Sequence, residues 1–310
     1  MAVPLDKRLV FVTGKGGVGK TTVAASLGLL AARRGKRTII CEIGAQGRLA
    51  SIFGVGELGH RERELAPSLW GISIDPERSK EEWLHYELHS ATLAGILGHS
   101  RLFQYLTAAA PGLQELVTVG KIWELAQLQR KTAHAAPYDL VLADAPSTGH
   151  GVAMLRSPRT FAAVARVGPI QRQAMKIHDF LANGSLTGIV AVALPEEMPV
   201  NETIELGGML RQGIGLDVDA IIVNALYPER FSAEEAGRLE SFDGQASPAT
   251  VAALRAALYE YRWAREQRQQ LRRLRRGVEV PVLTLPYLFE PDLGGSQVEQ
   301  LSRMLEGKKL

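Results

Sequence analysis

Short apolar runs alternate with longer amphipathic stretches along most of the chain. A run of a few consecutive apolar residues is typical of a strand that is buried on both faces of a parallel sheet. Six such runs predict strands at residues 9–12, 38–41, 140–143, 189–192, 221–223 and 280–283, and a weaker seventh lies at 71–75. Helical patterns separate most of them, which predicts an α/β fold with a doubly wound, mostly parallel sheet. Pro281 in the last run favours an edge strand, because proline has no N–H for a central ladder.

Two intervals, 75–136 and 151–184, are too long for a simple crossover between strands. Both have apolar residues at helical spacing. In the second, Pro158 after Ser157 is typical of the start of a helix. We expect the two intervals to form a helical subdomain that is inserted into a single α/β domain spanning residues 1–310.

The composition is that of a globular protein. The chain has 310 residues, of which 46% are hydrophobic and 22% charged, so a mainly disordered chain is excluded. The single cysteine, Cys41, excludes an intrachain disulfide, a four-cysteine zinc site and a cysteine-ligated iron–sulfur cluster within one chain. The first apolar run begins at residue 9, and no window of about 18 residues is continuously apolar. We therefore expect no signal peptide, no transmembrane helix and a cytoplasmic location.

Positive charge is concentrated in one segment. The formal net charge is +3, but residues 251–276 contain eight arginines and two glutamates, so the rest of the chain is slightly acidic. The same segment has apolar residues on or near one helical face. Such a helix can bind nucleic acid or an acidic membrane, or it can pack on the core with its arginines solvated. We expect the packed arrangement here.

A glycine-rich phosphate-binding motif follows the first predicted strand. It matches the GxxxxGK[ST] pattern and precedes a helical pattern, as the motif requires. The backbone N–H groups of such a loop surround the phosphates, its lysine places a cation between them, and the helix N-terminus attracts the anion. The predicted nucleotide-binding residues are Gly14, Lys15, Gly16, Gly17, Val18, Gly19, Lys20, Thr21 and Thr22.

An aspartate after a later strand completes the predicted metal site. Asp144 follows the apolar run at 140–143, where P-loop proteins place a carboxylate that holds Mg²⁺ directly or through water. The hydroxyl of Thr21 supplies the other predicted metal ligand. We therefore assign Thr21 and Asp144 to the metal, and Lys20 and Asp144 to catalysis.

The loop contains a second lysine, Lys15. The segment KGGVGKTT resembles the deviant Walker A motif of dimeric ATPases, which include the arsenite-pump, nitrogenase iron protein, Min and plasmid-partition families. In those proteins the extra lysine reaches across a homodimer to the nucleotide of the partner. The resemblance implies ATP or ADP with Mg²⁺, a nucleotide-controlled homodimer and a catalytic role for Lys15.

The segment from Asp144 to His150 narrows this resemblance. It reads DAPSTGH and is similar to the D-x-A-P-T-G-H switch II of the ArsA/Get family, with proline and serine shifted by one place. That family contains arsenical-pump ATPases and tail-anchored-protein targeting factors. Asn224 resembles the family's adenine-reading asparagine, and Pro286-Tyr287, just after the last predicted strand, resembles the loop that covers adenine. The similarity extends over nearly the whole chain and implies that His150 lies in the switch that senses the γ-phosphate.

Switch I departs from the family pattern. The family has an aspartate there that orients the attacking water, and the matching position is Gly44. Loss of such a group slows hydrolysis by a factor on the order of 10²–10⁴. Glu42, two residues earlier, either replaces it or serves only the structure and the Mg²⁺ shell. Two alternatives stay open, a working ATPase and a nucleotide-binding scaffold with little hydrolysis.

The cysteine count also limits the partners. The chain lacks the paired CxxC motif of zinc-clamped dimers, and one cysteine does not suffice for arsenite binding or for a nitrogenase iron protein. We expect a homodimer and a hydrophobic helix client or membrane-protein partner; nucleic acid is not expected, although a partition or positioning ATPase remains an alternative. Ordinary helix packing would bury the same residues that a client groove would use, which are Leu93, Ile96, Leu97, Leu102, Phe103, Leu106, Val164, Val167 and Ile170.

Overall fold

The fold is built around one sheet. The computed structural model describes residues 3–44, 47–79, 112–130, 135–165, 167–242 and 247–307. Every predicted strand is confirmed, the last one displaced a few residues towards the C-terminus, and one further strand, β3, is found. The strands are β1 (Leu9–Gly14), β2 (Thr38–Ile43), β3 (Arg63–Ala66), β4 (Leu69–Ile74), β5 (Leu140–Ser147), β6 (Thr187–Ala193), β7 (Ala220–Leu226) and β8 (Val282–Pro286).

The sheet is parallel except at one edge, which confirms the predicted fold class. Its strand order is β3-β4-β2-β5-β1-β6-β7-β8, and only β3 pairs antiparallel with its neighbour. β8 forms the other edge, as expected from Pro281, which lies just before that strand. β1 sits in the middle, between β5 and β6. The carboxyl ends of parallel strands lie on one side of a sheet, so the loop after β1 lies near the end of β5.

Helices cover both faces of the sheet. Along β1, Leu9 and Phe11 pack into the core on one face, while Val10 and Val12 pack into the core on the other. The first core is covered mainly by α3, α4, α5 and α6, and the second by α1, α2 and α9. The helices are α1 (Lys20–Arg33), α2 (Arg48–Phe53), α3 (Leu113–Leu125), α4 (Thr148–Ala165), α5 (Pro169–Ala182), α6 (Glu197–Ile214), α7 (Ala233–Glu240), α8 (Pro248–Gly277) and α9 (Gly295–Gly307).

The helix start predicted at Ser157-Pro158 is wrong, because α4 runs through both residues. Proline inside a helix leaves the carbonyl four residues earlier without its N–H donor. Here the hydroxyl of Ser157 donates to that carbonyl, Met154 O, at 2.8 Å, and so satisfies it. The Ser-Pro pair is therefore accommodated within one continuous helix.

The described part of the two long intervals packs directly against the sheet. Helices α3, α4 and α5 share one core with β1 and β5. Of the expected groove residues, Val164 and Val167 are exposed, at 74% and 83%. Residues 80–111, which contain Leu93, Ile96, Leu97, Leu102, Phe103 and Leu106, lie outside the described residues, as does the side chain of Ile170. The inserted subdomain stays a prediction.

A buried polar network surrounds Tyr138, two residues before β5. Arg130, whose side chain is 1% exposed, pairs with Glu62 and lies 3.4 Å from Glu124. The hydroxyl of the fully buried Tyr138 donates to Glu62 at 2.6 Å. The network thus ties the end of α3 to the chain before β3 and before β5.

Among the helices of the described residues, none combines the length and the apolar composition needed to span a bilayer.

Candidate nucleotide-binding site

The phosphate-binding loop connects the centre of the sheet to α1. The helix begins at Lys20, directly after Gly19, which has a left-handed backbone with φ of 89°. A Cβ at Gly19 would lie 2.3 Å from Nδ2 of Asn224, so both the backbone and the neighbouring side chain require glycine there. The N-terminal N–H groups of α1 point towards the space beside the loop, as anion binding requires.

A cavity of about 530 Å³ opens beside this loop. It is bounded by the loop and the start of α1, by the ends of β2 and β5, by α2, and by the segment before α9. The lining residues are Gly16, Gly17, Gly19, Lys20, Thr21, Thr22, Glu42, Ile43, Arg48, Ser51, Ile52, Asp144, Ala145, Pro146, Ser147 and Leu293.

The two predicted metal ligands meet in this cavity. Oγ1 of Thr21 donates a hydrogen bond to Oδ2 of Asp144 at 2.6 Å. Burial raises the pKa of Asp144 to about 6, although this hydrogen bond and the charge of Lys20 oppose the shift. A hydroxyl and a carboxylate fit Mg²⁺, which takes one or two protein oxygens and completes its shell with phosphate and water. Thr21 and Asp144 would hold the ion at this place.

Lys20 lies between the loop and the metal ligands. Its ammonium donates to the carbonyl of Lys15 at 3.1 Å. Burial lowers the pKa of Lys20, the charge of Asp144 opposes this shift, and the charge of Arg48 adds to it. Two cations, Lys20 and Arg48, therefore stand at the edge of one cavity that is also lined by the carboxylates of Asp144 and Glu42.

Glu42 stands beside Asp144, because the two residues are register partners in β2 and β5. Its side chain is only 2% exposed. Oε1 accepts hydrogen bonds from the backbone N–H groups of Arg48 at 2.9 Å and Leu49 at 3.1 Å, which are the first two residues of α2. Oε2 is buried and has no hydrogen-bond partner among the described residues. The carboxylate therefore caps α2 with one oxygen and leaves the other unused.

Gly44 follows β2 at the expected switch I position. Its backbone is left-handed, with φ of 77°, and its N–H donates to the carbonyl of Ile74 at 3.2 Å. A Cβ at this position would meet no atom within 4 Å. The position thus has room for a side chain but favours glycine through its backbone conformation.

Lys15 does not line the cavity. Its ammonium forms an ion pair with Glu202 of α6, in the same chain. Both side chains are about one third exposed, at 34% and 32%. The second lysine of the loop is thus held within its own chain, on the side of β6.

Asn224 reaches the loop from β7. Its Nδ2 donates to the carbonyl of Val18 at 3.0 Å. The next residue, Ala225, has a positive φ of 55°, and the pairing of β7 with β8 is irregular between Val223 and Leu226. Strained backbone of this kind persists where the surroundings impose it, often at ligand sites. The irregularity places the Asn224 amide against the loop.

Pro286 and Tyr287 lie next to β7, as the last residue of β8 and the one after it. The N–H of Tyr287 donates to the carbonyl of Leu226 at 2.9 Å. The ring of Tyr287 contacts two other aromatic rings, those of Tyr227 and Phe289, with centroids 4.5 Å and 4.9 Å away. Both residues were predicted to follow the last strand. Pro286 is instead the last residue of β8, and only Tyr287 follows the strand.

The arginine-rich segment forms most of α8, and part of it supports this aromatic cluster. The buried Gln267 accepts the N–H of Tyr227 through Oε1 at 2.8 Å, and Arg268 donates to the carbonyl of Tyr227 at 3.0 Å. Arg268 also pairs with Glu229, and Arg262 pairs with Glu240. Leu271 and Leu274 of the same helix are buried in the core. α8 is thus a packed helix, and two of its arginines bind carboxylates of this chain.

Comparison with known proteins defines the family. Residues 7–178 and 165–242 match the family described as anion-transporting ATPase. The chain belongs to that family. The resemblance to ArsA/Get proteins, inferred from the loop at 14–22 and the segment at 144–150, is thereby confirmed.

Relatives of this anion-transporting ATPase family member occur in distant organisms. ATPase BagA of Mycobacterium tuberculosis is 30% identical over 234 residues, which are 74% of this chain and 68% of that protein. An ATPase ASNA1 homolog of Entamoeba dispar is 28% identical over 265 residues, which are 71% of this chain and 76% of that protein.

Several residues of the site were not predicted from the sequence of this ATPase. Arg48 at the start of α2 and Leu293 before α9 line the cavity, and Glu202 holds Lys15. The position of Arg48 four residues after Gly44 was a usable signal, because a helix that starts there brings its side chain to the cavity. Glu202 lies 187 residues from Lys15, so no local pattern indicates their contact.

Proposed function

We propose that this anion-transporting ATPase family member binds Mg-ATP in the cavity beside the loop and hydrolyses it. The observation that carries the proposal is the hydrogen bond between Thr21 and Asp144, 2.6 Å long, in the same cavity as Lys20. A hydroxyl and a carboxylate so close together are a metal-binding pair, and the cation beside them suits the β- and γ-phosphates. ADP would bind at the same place.

The chemistry needs little covalent participation by the protein. The loop N–H groups and the N-terminus of α1 hold the phosphates, and Lys20 neutralises the charge that develops on the leaving oxygen. Mg²⁺, once bound, would neutralise part of the phosphate charge, and Thr21 and Asp144 would hold it in position. The contributions of the protein are therefore positioning and electrostatic stabilisation.

A test compares Lys20→Ala with Lys176→Ala, which removes an exposed lysine of α5. We expect Lys20→Ala to lower both the affinity for a fluorescent ATP analogue and phosphate release by at least tenfold, while Lys176→Ala leaves both unchanged. Nucleotide binding that is equal in the two variants would contradict the assignment of the cavity. Circular dichroism of both proteins establishes that they are folded.

The active unit in this proposal is a homodimer. On ATP binding, the ammonium of Lys15 leaves Glu202 and contacts the phosphates of the partner's nucleotide, as the deviant Walker A motif implies. Sedimentation velocity with ATP, ADP and no nucleotide tests this step. ATP-dependent dimers that are lost in Lys15→Ala support it, whereas a monomer under all three conditions would overturn it.

The proposed output of the ATP cycle is a change in the helical region that holds a hydrophobic helix client or a membrane-protein partner. The exposure of Val164 and Val167 at the end of α4 supports an apolar contact surface. A photocrosslinker at Val164 should form adducts with a hydrophobic peptide, and the yield should depend on the nucleotide. The same yield in all nucleotide states would contradict nucleotide control. The cytoplasmic location expected from the sequence remains a prediction.

Gly44 favours a second candidate function, a nucleotide-binding scaffold with little hydrolysis. The position offers no side chain that could hold the attacking water. ATP would then close the dimer and remain uncleaved. Tight ATP binding with negligible phosphate release would favour the scaffold, and steady turnover would exclude it.

A further inference from the structure

The starting point is the missing carboxylate at Gly44. Hydrolysis of the γ-phosphate needs a group that accepts a hydrogen bond from the attacking water. Two carboxylates of the described residues line the cavity, those of Asp144 and Glu42. Oδ2 of Asp144 is engaged by Thr21 and belongs to the metal pair. Glu42 is therefore the remaining acidic side chain at the site.

The state of the Glu42 carboxylate points to a ligand. Its side chain is nine-tenths or more buried, and Oε2 has no hydrogen-bond partner among the described residues. A buried oxygen without a partner is costly, and native proteins seldom retain one without a use. Glu42 lines the cavity, and although Oε2 is closed to solvent in this conformation, a local movement of the carboxylate would let a water or ligand in the cavity supply the missing donor.

Glu42 is also held in place. Two backbone N–H groups at the start of α2 bind Oε1, at 2.9 Å and 3.1 Å. These two hydrogen bonds restrain the carboxylate. A carboxylate anchored through one oxygen needs only a local movement to bring its unpaired oxygen to a water.

We propose that Glu42 is the catalytic residue that orients the attacking water, in place of the aspartate that the family has at position 44. This inference rests on the proposed ATPase function. Oε2 accepts a hydrogen bond from the water. As the water oxygen bonds to the γ-phosphorus, the bond from phosphorus to the β–γ bridging oxygen breaks, and its electron pair stays on ADP. The proton of the water passes to Oε2 and then to solvent as phosphate leaves.

The test uses Glu42→Gln in the full chain. Glutamine keeps an oxygen that accepts the two N–H groups of α2, but it places an amide donor where Oε2 was. The matched control is Glu57→Gln, an exposed glutamate shortly after α2. We expect Glu42→Gln to lower kcat by about 10²–10⁴-fold. Affinity for ATP should change less than threefold, and the thermal midpoint should stay close to that of Glu57→Gln.

A second readout does not depend on the rate. After incubation with Mg-ATP and removal of free nucleotide, the bound nucleotide is identified by chromatography. We expect ADP on the wild-type protein and on Glu57→Gln, and uncleaved ATP on Glu42→Gln. The double variant Glu42→Gln with Gly44→Asp should regain turnover, since aspartate tolerates a left-handed backbone better than most residues.

The outcomes separate this inference from the proposed function. If the wild-type protein binds ATP without cleaving it, hydrolysis itself fails, and the scaffold function stands in its place. If the wild-type protein cleaves ATP and Glu42→Gln does so equally well, only the role of Glu42 is overturned. A Glu42→Gln variant whose kcat recovers fully at high Mg²⁺ would likewise overturn it, because the carboxylate would then serve the metal shell.

Discussion

The network around Arg130 offers a stability test that does not involve the nucleotide. Glu62→Gln removes the negative charge that pairs with Arg130 while keeping the shape of the side chain. Among the described residues the guanidinium, 1% exposed, would then keep Glu124, 3.4 Å away, as its carboxylate partner, and the hydroxyl of Tyr138 would lose a charged acceptor. The variant therefore leaves a buried charge incompletely compensated.

The expected cost follows from burial. Removing one partner of a fully buried pair costs about 3–5 kcal/mol, whereas an exposed pair contributes about 0–1 kcal/mol. Glu62 keeps 28% of its side chain exposed while Arg130 is buried, so we expect an intermediate loss of about 2 kcal/mol. The matched control, Glu64→Gln on the exposed part of β3, should stay within about 0.5 kcal/mol.

The same loss should depend on pH. Burial alone would raise the pKa of Glu62, but hydrogen bonds from Arg130 and Tyr138 outweigh it and hold this pKa below its usual range. A carboxylate with a lowered folded-state pKa stabilises the protein above its unfolded-state pKa, about 4.3, and loses this contribution as the pH falls through the folded-state value. The difference between wild type and Glu62→Gln should therefore be full at pH 7 and shrink in acid.

Urea unfolding of the wild type, Glu62→Gln and Glu64→Gln at pH 7 and at pH 4 measures both effects. Equal stability of the two variants at pH 7 would refute the reasoning about the buried guanidinium. A loss in Glu62→Gln that is the same at both pH values would refute the electrostatic origin. ATP turnover per folded molecule should be unchanged, because none of the network's residues lines the cavity.

Three further predictions concern the site. Glu202→Gln should strengthen ATP-dependent dimerisation about fivefold by sedimentation, because each dimer frees two Lys15 side chains from partly exposed pairs and each release is worth about 0.5 kcal/mol; weaker association would contradict this. Ala225→Gly should leave stability in urea within about 0.5 kcal/mol, since glycine suits φ of 55°, whereas Ala256→Gly on α8 should cost about 1 kcal/mol. Below the pKa of Asp144, about 6, protons compete with Mg²⁺ for the carboxylate. Calorimetry in the presence of ADP should therefore show that the affinity for Mg²⁺ falls about tenfold for each pH unit below this pKa and stays constant above this pKa.

The sheet was predictable because its central strands are buried on both faces and leave a simple apolar pattern. The antiparallel edge strand β3 was missed, since Arg63 and Glu64 are exposed and give no apolar run. The helix start expected at Pro158 was wrong because the hydroxyl of Ser157 donates to the carbonyl that the proline leaves without an N–H donor. General rules for proline in helices do not indicate this contact. The local sequence pattern thus predicts strands that are buried along their whole length, and it fails where a single side-chain contact determines the structure.

The phosphate side of the site was predictable for a similar reason. The backbone conformation at Gly19 requires glycine. Phosphate and metal binding require the lysine, hydroxyl and carboxylate of Lys20, Thr21 and Asp144. The residue types in the sequence therefore indicate this part of the site directly. The pairing of Lys15 with Glu202 and the capping of α2 by Glu42 depend instead on tertiary placement. No local sequence pattern indicates these two contacts.

The central position of β1 also affects how the protein is made. Both strands that flank β1 are synthesised much later than β1 itself, because β5 ends at Ser147 and β6 at Ala193. At about 5–20 residues per second, a ribosome that has completed β1 needs roughly 7–27 s to complete β5 and roughly 9–36 s to complete β6. Until β5 is complete the apolar β1 has neither neighbouring strand, and until β6 is complete it has only one, so a chaperone that shields β1 during synthesis should raise the yield of folded protein.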